Sequence, residues 1–221
     1  MRKILIAIPC MDQVPAQFAN SIATLTSYGI EGVEISLQFN LGSLIYSSRN
    51  QLAGMALADE ADLIMWFDSD MVFNPDTLLR LLKDIDDGAD FVTGVYYRRT
   101  APFTPTLFKT LNIDENNNAE WTEFEDFPEK DLFEVAGCGF GCVLMKADMI
   151  RAVFKKFGRL FSPIGEVGED LSFCWRAREC GYKLMCDPTI PLGHVAHTMV
   201  IKEFYDNYKK AKAAKETEGQ G

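Results

Sequence analysis

The stretch Leu63-Ile-Met-Trp-Phe-Asp-Ser-Asp-Met71 constrains this chain more than any other. Five apolar residues in a row read as a strand buried on both faces, as central parallel strands are. The run stops abruptly in two carboxylates one residue apart, Asp68 and Asp70. They fall at the C-terminal end of the strand, the edge at which open α/β sheets bind ligands. Two like charges this close repel each other unless a cation sits between them, and a divalent ion is the usual solution. The stretch therefore predicts a metal site at the working edge of a sheet. It is not an EF-hand loop, because Phe73 and Leu79 stand where that loop needs Gly and Glu. The plainer alternative is a solvated turn leading to a helix cap at Asn74.

The flanking sequence supplies the rest of an α/β pattern. Strands are expected over residues 4–9, 32–39 and 63–67, with helices over 14–28 and 50–59 and a loop over 41–48 between them. Pro15 suits a first helical turn and Gly29 a helix end. This strand–helix alternation is that of a nucleotide-binding half-sheet. Asn74-Pro75-Asp76 then opens a helix with an apolar face at Leu78, Leu79, Leu82 and Ile85. A strand follows over 91–97. Residues 98–131 are polar and turn-rich, and read as an exposed hairpin or flexible loop. Strands over 142–145 and 183–186, and helices over 147–157 and 170–181, complete the series. One domain is expected over residues 1–200, with a helical or flexible tail over 201–221.

Composition narrows the function. A 221-residue chain with 48% hydrophobic residues suits one sizeable core. Its net charge of -10 repels nucleic acid, so bulk nucleic-acid binding is not expected. The apolar run after Met1 ends at Pro9, too short for a signal peptide and well suited to a first core strand. No segment has the length of a membrane span. The six cysteines contain no C-x-x-C pair and read as buried reduced thiols, with zinc at Cys138 and Cys142 the minority alternative. A cytoplasmic setting is expected.

Four further features bear on chemistry. His194 and His197 are the only histidines, and one imidazole joining two carboxylates suits manganese or a similar ion. Glu169 and Asp170 read either as first-turn helix acids or as a general base at a cleft mouth. The loop Gly137-Cys-Gly-Phe-Gly141 would let backbone approach a ligand closely. Ser47-Ser-Arg49-Asn50, set before a helix, would favour a phosphate, the alternative for Arg49 being a surface salt bridge.

Taken in order, these pieces resemble the GT-A-fold nucleotide-sugar glycosyltransferases, in particular the inverting family 2 type. The matching features are Ile8-Pro9, Arg49-Asn50, Phe67-Asp68-Ser69-Asp70 with Asn74-Pro75, and the Gly137–Gly141 loop. Beyond these come Gly168-Glu169-Asp170 with Phe173 and Arg176, Gly181-Tyr182, Asp187-Pro188 and Gly193-His194. The resemblance implies a single GT-A-type, Rossmann-like α/β domain, with a mostly parallel central sheet flanked by helices and a small antiparallel element near the site. It implies Mn2+ or Mg2+ held by Asp68, Asp70 and His194, with Asp68 also reaching the ribose or a metal-bound water and His197 not a ligand. Asp170 would be the base and Glu169 its support. Pro9, Cys10, Arg49, Asn50, Asp68, Ser69 and Gly139 would border the nucleotide. The donor would be a UDP- or GDP-sugar, and the acceptor stays open. The chain lacks the Q-x-x-R-W motif of processive synthases.

Two other functions fit less well. A nucleotidyltransferase would carry a Gly-rich, cationic loop after its first strand, where this chain has Cys10-Met-Asp-Gln-Val14. A degenerate, non-catalytic sugar-nucleotide binder would not need Asp68, Asp70, Asp170 and His194 together.

Overall fold

A computed structural model describes residues 1–196. His197 and the expected tail over 201–221 lie outside the described residues. The elements in chain order are β1 (Arg2–Cys10), α1 (Ala16–Tyr28), β2 (Val33–Leu41), α2 (Ile45–Ala58), β3 (Leu63–Phe67), β4 (Met71–Phe73), α3 (Thr77–Asp86) and β5 (Phe91–Val95). They continue as β6 (Leu107–Ile113), β7 (Ala119–Glu123), β8 (Phe133–Val135), β9 (Gly137–Cys138), β10 (Cys142–Lys146), α4 (Ala147–Phe157), α5 (Glu169–Glu179) and β11 (Leu184–His194).

The main sheet runs β2-β1-β3-β10-β5-β11-β4, with β8 also paired to β11. Strands β2, β1, β3, β5 and β11 point one way, while β10, β4 and β8 point the other. The sheet is therefore parallel in its main direction, with antiparallel β10 inserted between β3 and β5. The small antiparallel element is the separate sheet β7-β6-β9.

Helices cover both faces, which is why β3 is buried along its whole length. On one face, Phe18, Ile22 and Leu25 of α1 and Leu78, Leu81 and Ile85 of α3 pack against Ile4, Ile6, Met65 and Phe67. On the other, α2, α4 and α5 bring Leu52, Met149, Ile150, Val153 and Phe173 against Leu5, Ile64 and Trp66.

Three elements differ from expectation. Helix α3 opens at Thr77 behind Asp76 rather than at Asn74, and its buried face takes Leu81 in place of Leu79, which is exposed. Helix α2 begins at Ile45 rather than residue 50, so Arg49 and Asn50 lie within it. Its buried face is Ser48, Arg49, Leu52, Ala53 and Ala56. Two polar residues on that stripe, and no capping side chain at its start, hide the helical period from the sequence. Strand β11 runs on to His194 instead of ending near residue 186, with its register shifted between Asp187 and Pro191. Pro188 at this irregularity disguises the strand, as prolines in sheets sit at edges and bulges.

Candidate active site

The C-terminal ends of β1, β3, β5 and β11 meet at one edge of the sheet. Residues from this edge line a cleft of about 380 Å³. Pro9, Cys10 and Met11 come from the end of β1, Gly42 and Ser43 from the loop before α2, Ile45 from its start, and Asp68, Ser69 and Asp70 from the turn after β3. Arg99 and His194 complete it. The acidic pair closes a β-turn, with Met71 N–H donating to the Asp68 carbonyl at 3.2 Å. Strand β4 then pairs with β11, His194 opposite Met71, and carries the histidine back beside Asp70.

Asp70 holds two basic partners. His194 Nε2 lies 3.4 Å from Oδ1, and Arg99 Nη1 lies 2.7 Å from Oδ2. Burial alone pushes the Asp70 carboxyl up, but the His194 hydrogen bond and the charges of His194 and Arg99 outweigh it and hold it below the usual range. His194 is raised in return, chiefly by its hydrogen bond to Asp70. Its Nδ1 sits 2.8 Å from the Tyr97 carbonyl. That carbonyl can only accept, so Nδ1 carries a proton and Nε2 is the nitrogen presented to Asp70. A carboxylate and an imidazole nitrogen facing each other at this spacing fit a borderline divalent ion.

Asp68 is turned the other way. Its Oδ1 accepts from Arg49 Nη2 at 2.8 Å, and Arg49 Nε reaches Glu169 Oε1 at 3.3 Å. Among the described residues, no three His, Cys, Asp or Glu side chains cluster as a metal cage. The structure thus brings Asp70 and His194 together and sets Asp68 apart from them on an arginine.

Arg49 is not a surface ion pair, and it lies within α2 rather than before it. Its side chain is 2% exposed, and its guanidinium lies over the rings of Phe140 and Trp66 at 5.2 and 5.8 Å. Burial costs the charge its hydration, but Asp68, Glu169 and Asp170 outweigh that and raise its pKa. Asn50 does not line the cleft. Its Oδ1 accepts the Phe161 N–H at 3.1 Å, securing the segment that leads to α5.

That segment is pinned from several sides. Ser172 Oγ accepts the Ile164 N–H and donates to the Val167 carbonyl, and Arg176 Nη1 donates to the Leu160 carbonyl. Phe161 stacks on Phe173 with centroids 4.6 Å apart. The result fixes Glu169 and Asp170 in the first turn of α5. Asp170 has its pKa pushed up to about 6, first by burial and then by Glu169, against the opposing Leu171 N–H and Arg49. A carboxyl poised there is suited to proton transfer near neutral pH.

Gly139 also differs from expectation. Its open side faces protein, since a Cβ there would collide with the Tyr96 hydroxyl. Tyr96 is buried, and its hydroxyl accepts the Gly141 N–H at 3.1 Å. The glycines of this loop make room for a tyrosine that locks β10 to the end of β5. Neither Tyr96 nor the Tyr97 carbonyl carries a signal in the sequence. Of the two arginines at the root of the polar segment, Arg99 enters the cleft, whereas Arg98 pairs with Glu123 of β7.

Residues 42–154 match the family model described as Glycosyl transferase family 2. The chain belongs to that family. The matched segment holds α2, the Asp68–Asp70 turn and the Gly137–Gly141 loop, while Asp170 and His194 lie beyond it. No curated protein matches the sequence. Among solved structures, A197 from STIV superposes with a TM-score of 0.60 at 18% identity, over 89% of this chain and 87% of that one. GalNAc-T7, in a crystal structure with UDP, GalNAc and Mn2+, superposes with a TM-score of 0.61 at 9% identity. This alignment covers 89% of this chain and 44% of that chain, so the match spans under half of GalNAc-T7. At such identities the likeness is one of fold, and it is the GT-A type. Among the described residues, no helix is long and apolar enough to cross a membrane.

Proposed function

We propose that the chain is a metal-dependent glycosyltransferase that moves a sugar from a UDP- or GDP-sugar to an acceptor hydroxyl, with inversion and with Asp170 as base. The carrying observation is electrostatic. One sheet edge holds an Asp70–His194 couple beside Arg99, while a half-buried carboxyl, Asp170, is held near 6. Such a division separates a group that must stay ionised from one that must exchange a proton.

Each residue then has a task. Asp70 and His194 would hold Mn2+ or Mg2+, with the Tyr97 carbonyl fixing the imidazole. The ion would supply Lewis-acid stabilisation of the departing diphosphate. Pro9 and Cys10 border the nucleoside, and Ser69 lies on the cleft wall between the two carboxylates. Arg49 orients Asp68 toward the ribose side and Glu169 beside the base. Asp170 accepts the proton of the acceptor hydroxyl as its oxygen attacks the anomeric carbon and the glycosidic bond to the diphosphate breaks. The setting is cytoplasmic, in keeping with five buried cysteines, a sixth partly buried one, and no disulfide among the described residues.

The test is Asp170→Asn, assayed for transfer with a panel of sugar nucleotides. A base acts only in the transfer step, so kcat should fall by at least about a hundredfold while the donor Kd moves only a few-fold. Glu169→Gln should cost less. Near-normal turnover of Asp170→Asn with saturating acceptor, or a product with retained anomeric configuration, would remove Asp170 from this role.

A further inference from the structure

We propose that β2 is the interface of a two-fold homodimer, in which the β2 strands of two copies pair antiparallel about Leu37. Among the described residues, β2 is an edge strand with β1 on one side and no strand on the other. Its register with β1 is continuous over nine residues, without a bulge. It contains no proline and no lysine, and its single charge is Glu34. A long, unbulged edge with a single charge, no proline and an apolar side is a template for pairing with another strand.

The backbone shows which groups are free. Arg2 N–H donates to the Gly32 carbonyl and Gly42 N–H to the Cys10 carbonyl. Backbone groups alternate in direction along a strand, so even-numbered residues of β2 face β1 and odd-numbered ones face the open side. The same odd residues, Val33, Ile35, Leu37, Phe39 and Leu41, share the apolar face of the strand. Three of them stay exposed, with Leu37 at 38%, Phe39 at 39% and Leu41 at 70%.

A second copy satisfies both the backbone and the side chains. A dyad through Leu37, the central residue of β2, sets Leu37 beside Leu37 of the partner subunit. It sets Ile35 beside Phe39 of the partner subunit, and Val33 beside Leu41 of the partner subunit. These are all outward-facing residues, so each can exchange N–H and C=O groups with its opposite number. Val33 N–H is already donated to the Ile30 carbonyl, which leaves about eight new hydrogen bonds. On the polar face, Ser36 meets Gln38 of the partner subunit and Glu34 meets Asn40 of the partner subunit. No like charges oppose each other. An interface in which the same patch serves both copies is the isologous kind that closes a dimer.

The register makes the proposal testable. In oxidising buffer, Leu37→Cys should cross-link to itself, because hydrogen-bonded antiparallel partners sit about 5.5 Å apart, within disulfide reach. Glu34→Cys should not, because the two copies of residue 34 would lie roughly 20 Å apart along the strands. Sedimentation of the unmodified full chain should show a monomer–dimer equilibrium at micromolar concentrations. Leu37→Lys should be monomeric with an unchanged melting profile at low concentration. Leu37→Pro should also be monomeric, since the N–H it removes faces the open side. A chain that is monomeric throughout, a dimer that survives both substitutions, or equal cross-linking at positions 34 and 37 would each overturn the proposal.

Discussion

Replacing Arg49 by Met tests how the two halves of the site are joined. The guanidinium is 2% exposed, with Asp68 at 2.8 Å and Glu169 at 3.3 Å. Met keeps the apolar stem but removes the guanidinium that lies over Trp66 and Phe140 and carries the charge. Asp68, Glu169 and Asp170 are then left facing one another with nothing between them. Removing one partner of a buried pair costs about 3–5 kcal/mol. Asp68 and Glu169 are 26% and 17% exposed and can recover some hydration, so the low end, about 3 kcal/mol, applies. For a domain of this size each kcal/mol moves Tm by roughly 2–4 °C, giving a loss of about 6–12 °C in calorimetry.

A second readout separates stability from catalysis. Arg49 draws the Asp170 carboxyl down from where burial and Glu169 would put it. Without that charge Asp170 binds its proton more tightly, so the acidic limb of the kcat profile should move to higher pH. Arg49→Lys keeps the charge but not the fork, and should fall between the two on both scales. An Arg49→Met enzyme with an unchanged Tm and an unmoved acidic limb would show that the buried ion pairs neither stabilise the fold nor reach Asp170.

Three more outcomes are expected. Asp170 must be ionised to act, so kcat in the unmodified enzyme should fall as pH drops through about 6. Its contribution to stability has the opposite sense, present below its unfolded value of about 3.9 and lost as pH rises through the folded one, which urea titration at several pH values would reveal. Asp70→Ala should abolish the thermal shift produced by a nucleoside diphosphate with Mn2+, and excess chelator should abolish transfer; full activity in chelator would refute the metal role. Shortening the hairpin tip at residues 112–118 should slow transfer more than it weakens donor binding, because the Asn117 carbonyl packs on Gly165 in the segment leading to Asp170. An equal loss of both would mark the tip as scaffold instead.

Elements whose physics is local are written in the chain itself. Five apolar residues closed by a turn are too few for a helix, so β3 lies at residues 63–67 as expected, and the one-sided apolar spacing after Lys146 likewise gives α4 over residues 147–157. Asp68 and Asp70 follow the strand directly, and chain connectivity alone puts them at the sheet edge. What depends on distant partners is not legible in this way. Arg49 reads as a surface or phosphate-binding cation because nothing nearby in the chain shows that Asp68 and Glu169, 19 and 120 residues away, converge on it. Gly139 reads as open because the ring that fills its open side is Tyr96, at the end of another strand. The insertion of β10 between β3 and β5 leaves no trace in any single segment, since it depends on pairing with strands about 50 to 80 residues earlier in the chain. The charge states are likewise a product of tertiary contacts. A carboxyl near 6 at Asp170 and one held low at Asp70 differ only in burial and in which charges fold against them.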